Sequence, residues 1–157
     1  MVYHKKVQLQ SNDKVCTFHN VTQQAKDALR ESGIRNGIVV VYSHHTTCSV
    51  ITQECAFDLS MTGLETLQQD LVNVMEEIIP TQRSEGMYLH PGPRALAFAE
   101  KHGEDNRGCH NTDAHLRSSV IGRSQTIVVE DGSMDLGEFG FIYFIRPERG
   151  RGRCRSW

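Results

Sequence analysis

The strongest periodic pattern in the chain is that of an amphipathic helix near its middle. Apolar side chains recur there every three or four residues until Pro80 ends the pattern, at Leu64, Leu67, Leu71, Val74, Met75 and Ile78. An earlier stretch has the same spacing, with Thr22 as its predicted N-cap and Gly33 as its stop. A third, shorter helix is predicted from Ala95 to His102.

Apolar runs of another kind predict the strands. Residues 2–10 resemble a strand, and a short polar turn leads from them to a second apolar stretch at 15–19, so a hairpin is predicted. Residues 37–43 form a continuous β-branched run that is typical of a strand buried on both faces. Further strands are predicted at 49–52, 126–129 and 140–145, with a hairpin turn at Asp131 and Gly132.

Strands at both ends of the chain, with helices between them, indicate a single α+β domain over residues 1–157. We expect a mainly antiparallel sheet with the helices packed on one face. Hydrophobic residues make up 38% of the chain and charged residues 23%, a balance that supports a folded core without disulfides or a metal. The chain is too short for a (β/α)₈ barrel.

Charge and cysteine content narrow the classes of function. The net charge of -2 argues against a domain that binds nucleic acid through its overall charge. The five cysteines are an odd set without a CxxC pair, and the N-terminus has no apolar signal core, so reduced thiols in the cytoplasm are expected. No apolar run approaches the roughly 20 residues of a membrane helix. We expect a cytoplasmic protein that binds neither nucleic acid nor membrane.

Histidines are the main candidates for chemistry. Six of the eight lie between residues 44 and 115, in and around a polar segment of Gly, Pro and His at 81–111. A loop of that length is usually functional or disordered. Imidazole suits both metal ligation and proton transfer because its neutral form offers a lone pair and its pKa lies near physiological pH.

The first histidine motif is SHHTTCSV, residues 43–50. If the preceding strand continues, its two adjacent imidazoles point to opposite faces, and only one can face a given site. Thr46 and Thr47 then either hold a substrate oxygen or fix the imidazole of His45. Glu54, beyond the next strand, is a candidate general base, metal ligand or helix acceptor.

The second motif lies at residues 103–119, where His110, Asp113 and His115 occur within six positions. His110 and His115 are five apart, so a regular helix would not stack them, and metal ligands would have to come from a loop. The alternative is a polar loop whose side chains cap the next turn.

Arginines alternate along the C-terminus at positions 149, 151, 153 and 155. On an extended strand they would share one face, where guanidinium groups bind phosphate bidentately. The alternative is a frayed basic terminus.

Five motifs in register resemble the YjbQ-like family, also described as secondary thiamine-phosphate synthases. They are HTTCSVITQE at 45–54, YLH at 88–90, DAHLRSSVIG at 113–122, DGSMDLGEFG at 131–140 and RGRGR at 149–153. The resemblance implies a compact α+β subunit, a homotrimer and a histidine pocket able to hold a divalent metal, either zinc or magnesium.

Site residues follow from that resemblance by matching motifs. By this match, His45, Glu54 and His115 are the expected catalytic residues. The expected metal ligands are His45, His90 and His115, with His110 as the alternative third ligand. An insertion at about 91–105 lengthens the interval between His90 and His115. His102 is therefore a further candidate for the third histidine of the site. The motif EFG at 138–140 stands where the family typically has a Trp-Gln pair.

The resemblance also implies an activity. It is the joining of hydroxymethylpyrimidine diphosphate to thiazole phosphate with release of pyrophosphate, and Thr46, Thr47, Arg117, Arg151 and Arg153 would bind the phosphorylated substrate. Two alternatives stay open. One is a metal-dependent hydrolase of a small phosphorylated or amide compound, and the other is a trimeric small-molecule binder without turnover.

Overall fold

The computed structural model describes residues 2–11, 15–103 and 106–147. Its elements are, in chain order, β1 Thr17–Asn20, α1 Thr22–Ser32, β2 Gly37–Tyr42, β3 Ser49–Glu54, α2 Thr66–Ile78, α3 Pro93–Lys101, a 3₁₀ turn Asn106–Cys109, α4 Thr112–Ile121, β4 Ser124–Glu130, β5 Ser133–Met134 and β6 Gly140–Arg146. This is the predicted α+β architecture. No helix in the described ranges is long and apolar enough to cross a membrane.

The strands form two antiparallel sheets of three strands each. β6 lies between β1 and β3 in one sheet, and β4 lies between β2 and β5 in the other. Asp131 and Gly132 connect β4 to β5 with positive φ angles of 49° and 81°, which confirms the predicted hairpin turn. The Gln125 side chain of β4 donates a hydrogen bond to the Val50 carbonyl of β3 at 3.0 Å, which links the two sheets.

The core lies between these sheets and under α1. Its buried cluster consists of Val21, Ala25, Val50, Ile127 and Ile142. Both sheets and the start of α1 contribute to this cluster, so α1 is held by packing against β2, β5 and β6.

Two predicted helices agree closely with the structure. α1 ends at Gly33, whose φ of 67° is left-handed, as the prediction of a glycine stop requires. Its first N–H group, that of Thr22, donates to the Asn20 side chain at 3.1 Å, so the capping side chain lies two residues before the predicted N-cap. α2 begins with a reciprocal capping box between Glu65 and Gln68.

The N-terminal strand prediction is wrong for the described residues 2–11, which form no strand. Tyr3 and Lys5 bind the Glu31 carboxylate of α1 instead, at 2.7 and 2.6 Å. β1 pairs with β6 and not with this segment.

The prediction that β2 is buried on both faces is also wrong. Ile38, Val40 and Tyr42 are 62%, 54% and 50% exposed, while Val39 and Val41 lie on the inner face. A continuous apolar run gives no period from which the exposed face could be read.

The helix α4 was not predicted, since residues 103–119 were expected to supply loop ligands. Its buried positions are Thr112, Asp113, Ala114 and Ser118, which are small or polar. They leave no apolar stripe to reveal the helix, although Thr and Asp at its start are typical of a helix N-terminus.

Candidate functional site

The site lies where α4 packs against the start of β3. His45 belongs to the loop that joins β2 to β3, and His115 lies near the start of α4. The buried Ser118 hydroxyl of α4 donates to the Cys48 carbonyl of that loop at 2.7 Å. This bond fixes the loop against the helix and brings the two predicted histidine motifs together.

His90 and His115 form an edge-to-face pair of imidazoles. Their ring centroids are 5.5 Å apart and their planes are inclined at 73°. His90 comes from the long segment after α2, so residues 25 positions apart in sequence meet here through the fold. The structure thus places two of the three preferred histidines side by side.

Thr112 determines the tautomer of His90. Its hydroxyl donates its only hydrogen to the His90 carbonyl at 2.7 Å, and the same oxygen lies 3.1 Å from His90 Nδ1. Since the hydrogen is already committed, Nδ1 must be the donor in the second contact. The lone pair of neutral His90 is therefore on Nε2.

His115 is held in the neutral form. Burial is the largest cause that lowers its pKa from 6.5, and the neighbouring His90 acts in the same direction. A hydrogen bond to the Thr46 backbone opposes them and favours the protonated ring, so the ring donates and the carbonyl accepts. The other ring nitrogen keeps its lone pair.

His45 has the opposite tautomer to His90. The Thr47 backbone N–H donates to His45 Nδ1 at 3.3 Å, and the buried Thr47 hydroxyl lies 2.8 Å from the same nitrogen. Nδ1 is therefore an acceptor, and the ring hydrogen lies on Nε2. Thr47 thus positions His45, while Thr46 is exposed beside it and its side chain is open to solvent.

The other candidate histidines are engaged elsewhere. His110 Nδ1 lies 3.3 Å from the Gln82 side-chain amide, and its Nε2 faces Glu85 at 3.7 Å. His102 stacks on Phe98, with Nδ1 2.7 Å from the Phe98 carbonyl. Of the three histidines that competed for the third position, His90 is the one that contacts His115.

His45 lines a cavity bounded by α1 and β2, which neither His90 nor His115 lines. Two further predicted residues lie away from the His90–His115 pair within one chain. Glu54 ends the 6-residue strand β3, roughly 16 Å from the end that follows His45, and is exposed. Arg117 points toward α2, where it donates to Glu76 at 2.6 Å and to the Ile79 carbonyl at 2.7 and 3.0 Å. Its guanidinium holds α4 to α2. Arg151 and Arg153 lie outside the described residues.

Sequence reasoning missed Gln82 and Thr112. Gln82 is buried, and its side-chain oxygen accepts the Thr112 N–H at 3.2 Å, which caps the start of α4. Asp113 accepts the Gln82 N–H, and its pKa is raised chiefly by burial. A signal existed in the Thr-Asp pair at 112–113, which is typical of a helix start.

A divalent metal fits this arrangement only in part. His90 Nε2 and one ring nitrogen of His115 offer lone pairs on adjacent rings, and the buried Asn111 Oδ1, one turn earlier on the same helix, has no hydrogen-bond partner among the described residues. His45 does not match, because its lone-pair nitrogen is bonded to Thr47. Within 2–11, 15–103 and 106–147 no three His, Cys, Asp or Glu side chains form a ready ligand group.

Comparison with known proteins places the chain in one family. Residues 5–155 match the family described as UPF0047 protein YjbQ-like. A UPF0047 protein of Methanothermobacter thermautotrophicus is 30% identical over 152 residues, which is 97% of this chain and 87% of that protein. YugU of Bacillus subtilis is 27% identical over 134 residues, or 85% of this chain and 82% of its own length.

Solved structures share the fold. A YjbQ/UPF0047 protein from Clostridium acetobutylicum superposes with a TM-score of 0.63 at 26% identity, covering 92% of this chain and 89% of its own. A conserved hypothetical protein from Thermus thermophilus gives a TM-score of 0.61 at 26% identity, with 94% of both chains covered. The names of these relatives give a family and no activity. The chain belongs to the YjbQ-like (UPF0047) family.

Proposed function

We propose that the protein is a hydrolase of a small phosphorylated or amide compound in which His115 acts as the general base. The observation that carries this proposal is the edge-to-face pair of His90 and His115, in which each ring is fixed through one ring nitrogen and burial lowers the pKa of His115. A base must hold a lone pair at working pH, and a lowered pKa keeps His115 in that form.

Each imidazole then has a role set by its tautomer. His115 takes a proton from water as the water oxygen attacks phosphorus or the carbonyl carbon, and that proton passes to the leaving group as its bond breaks. His45, next to Thr46 in the loop that bonds His115, is the proposed donor to an oxygen on which negative charge develops. Thr112 and Thr47 hold the rings of His90 and His45 in these tautomers.

A divalent metal, zinc or magnesium, stays a prediction. When bound, such an ion supplies Lewis acidity. His90 and His115 are the residues that would hold it, and His45 would act through its N–H.

The test is a hydrolase panel of phosphomonoesters and amides with the full chain, with and without added zinc or magnesium. We expect His115→Gln to lower kcat by at least about a hundredfold on any substrate that is turned over. His102→Gln is the matched control and should keep full activity, because the His102 ring contacts Phe98 of α3 and is not paired with His115. Turnover that survives His115→Gln would falsify this proposal.

A second candidate is the transferase of thiamine-phosphate synthase type, the activity that the motif resemblance implies. In that reaction a thiazole nitrogen forms a bond to the pyrimidine methylene carbon while the bond from that carbon to the diphosphate breaks. His45 Nε2–H and the predicted Arg151 and Arg153 would stabilise the departing diphosphate. The test is to incubate both substrates with the protein and magnesium or zinc. If this candidate is right, thiamine phosphate should form, and no compound of the hydrolase panel should be hydrolysed.

We also propose a homotrimer located in the cytoplasm. The exposed apolar side chains of β2, Ile38, Val40 and Tyr42, support association, since such a patch is costly to leave in water. Light scattering after gel filtration tests the subunit number. A monomer at micromolar concentration would contradict the assembly.

A further inference from the structure

A cavity of about 420 Å³ lies between α2, α4 and the sheet of β1, β6 and β3. Its walls are mainly apolar and include Phe18, Leu71, Val72, Met75, Ile121 and Ile145. The volume falls within the range of sites that enclose a small molecule, and such sites combine apolar walls with a few polar groups. Neither His90 nor His115 lines it.

The charged groups of this cavity do not balance. Among the described residues, its lining contains two guanidinium groups, Arg83 and Arg117, and one carboxylate, Glu76, which gives these residues one excess positive charge. Glu76 binds Arg117 at 2.6 Å and Arg83 at 3.2 Å. The Arg117 side chain is 12% exposed and that of Arg83 is 78% exposed, so the guanidinium that solvent reaches is Arg83.

We propose that this cavity binds a small molecule with an apolar, ring-sized body and one anionic group, a carboxylate or a phosphate. The body fills the space between α2 and α4 and gains the free energy of leaving water. The anion lies at Arg83, where the excess charge meets solvent. This site goes beyond the proposed hydrolase and does not depend on it.

The cavity also reaches the loop of His45 through Thr47. Thr47 lines the cavity, and its hydroxyl lies 2.8 Å from His45 Nδ1. A bound molecule should therefore shift the NMR signals of the His45 ring, whereas those of His102, which bonds Phe98 in α3, should not move.

The experiment uses the full chain and two probes of equal body, 2-naphthoate and the neutral 2-naphthalenemethanol, with affinities measured by calorimetry. We expect 2-naphthoate to bind more tightly. Arg83→Gln should lower the affinity for 2-naphthoate by up to about fivefold, which is the usual contribution of an exposed charge pair. The affinity for the alcohol should not change. Arg35→Gln is the matched control, because the Arg35 side chain is 71% exposed, against 78% for Arg83, and it pairs with Asp131, outside the cavity lining.

A filling variant locates the probes. Val72→Phe, on a half-buried wall position, should abolish binding of both probes while the circular dichroism spectrum stays native. Ile121→Phe, on the facing wall, replaces it if Val72→Phe does not fold. His115→Gln should leave both affinities unchanged, which separates this site from the proposed catalysis.

Three results would overturn the proposal. The first is that neither probe binds at millimolar concentration. The second is that both probes bind with equal affinity, and the third is that binding survives in Val72→Phe and Ile121→Phe. If Arg35→Gln and Arg83→Gln lower the affinity for 2-naphthoate equally, the effect comes from the overall charge of the protein. That result would also overturn the placement of the anion at Arg83.

Discussion

Thr112 binds His90 at two points, its carbonyl and its ring. The hydroxyl donates to the carbonyl at 2.7 Å and accepts from Nδ1 at 3.1 Å. One side chain at the start of α4 therefore fixes both the end of a long loop and the tautomer of the imidazole that faces His115.

Replacing Thr112 by valine should release His90. The variant leaves the His90 carbonyl without its donor, which costs about 1 to 2 kcal/mol of unfolding free energy. Nitrogen NMR should show His90 changing from the Nδ1–H form to a mixture of tautomers. Thr112→Ser keeps the hydroxyl and is the control. An unchanged tautomer in Thr112→Val would show that another group orients the ring.

The unfolding free energy should fall as pH drops below 6.5, because the unfolded chain binds a proton at His115 before the folded chain does. The loss ends once pH is below the lowered folded pKa. His115→Gln should reduce the slope of unfolding free energy against pH, as measured by urea denaturation. His19, whose pKa is lowered by burial and by Arg146, acts in the same direction. The double variant with His19→Gln should therefore show the flattest curve.

Glu76→Gln should destabilise the contact between α2 and α4. Burial alone would raise the pKa of Glu76, but hydrogen bonds from Thr81 and Arg117 outweigh it and lower the pKa to about 2. The Glu76 side chain is 35% exposed, so after allowance for solvent screening the loss is about 1 to 2 kcal/mol at neutral pH.

The Glu76 contribution is present above pH 4.5 and is lost as pH falls through about 2. Arg83→Gln is the matched control for Glu76→Gln. It removes only the exposed partner and should cost less than about 0.5 kcal/mol. Equal losses in the two variants would contradict the assignment of this energy to Thr81 and Arg117.

Metal content should separate the three histidines of the predicted metal set. If the protein retains a divalent metal after gentle purification, His90→Ala and His115→Ala should lose it, since their rings lie side by side. His45→Ala should retain it, because Thr47 already binds the lone-pair nitrogen of His45. Elemental analysis checks this result. Loss of metal from His45→Ala equal to that from His115→Ala would place His45 among the ligands.

Local pattern was enough to predict α2, the end of α1 at Gly33 and the hairpin at Asp131 and Gly132. In each case the signal lies within a few residues: a repeat of apolar positions, or a residue that tolerates a left-handed backbone. The family motifs pointed to His45 and His115 for the same reason, since they are short and contiguous.

Tertiary structure alone decided which partners those residues have. Whether β2 is buried on one face or two depends on what packs against it, and the chain contains no period that encodes this. α4 has few apolar residues and is held by bonds to distant groups, such as that from Thr112 to Gln82. Residue types and order thus determined the histidine motifs, while long-range hydrogen bonds paired His90 with His115, directed Arg117 to Glu76 and left Glu54 at the far end of β3.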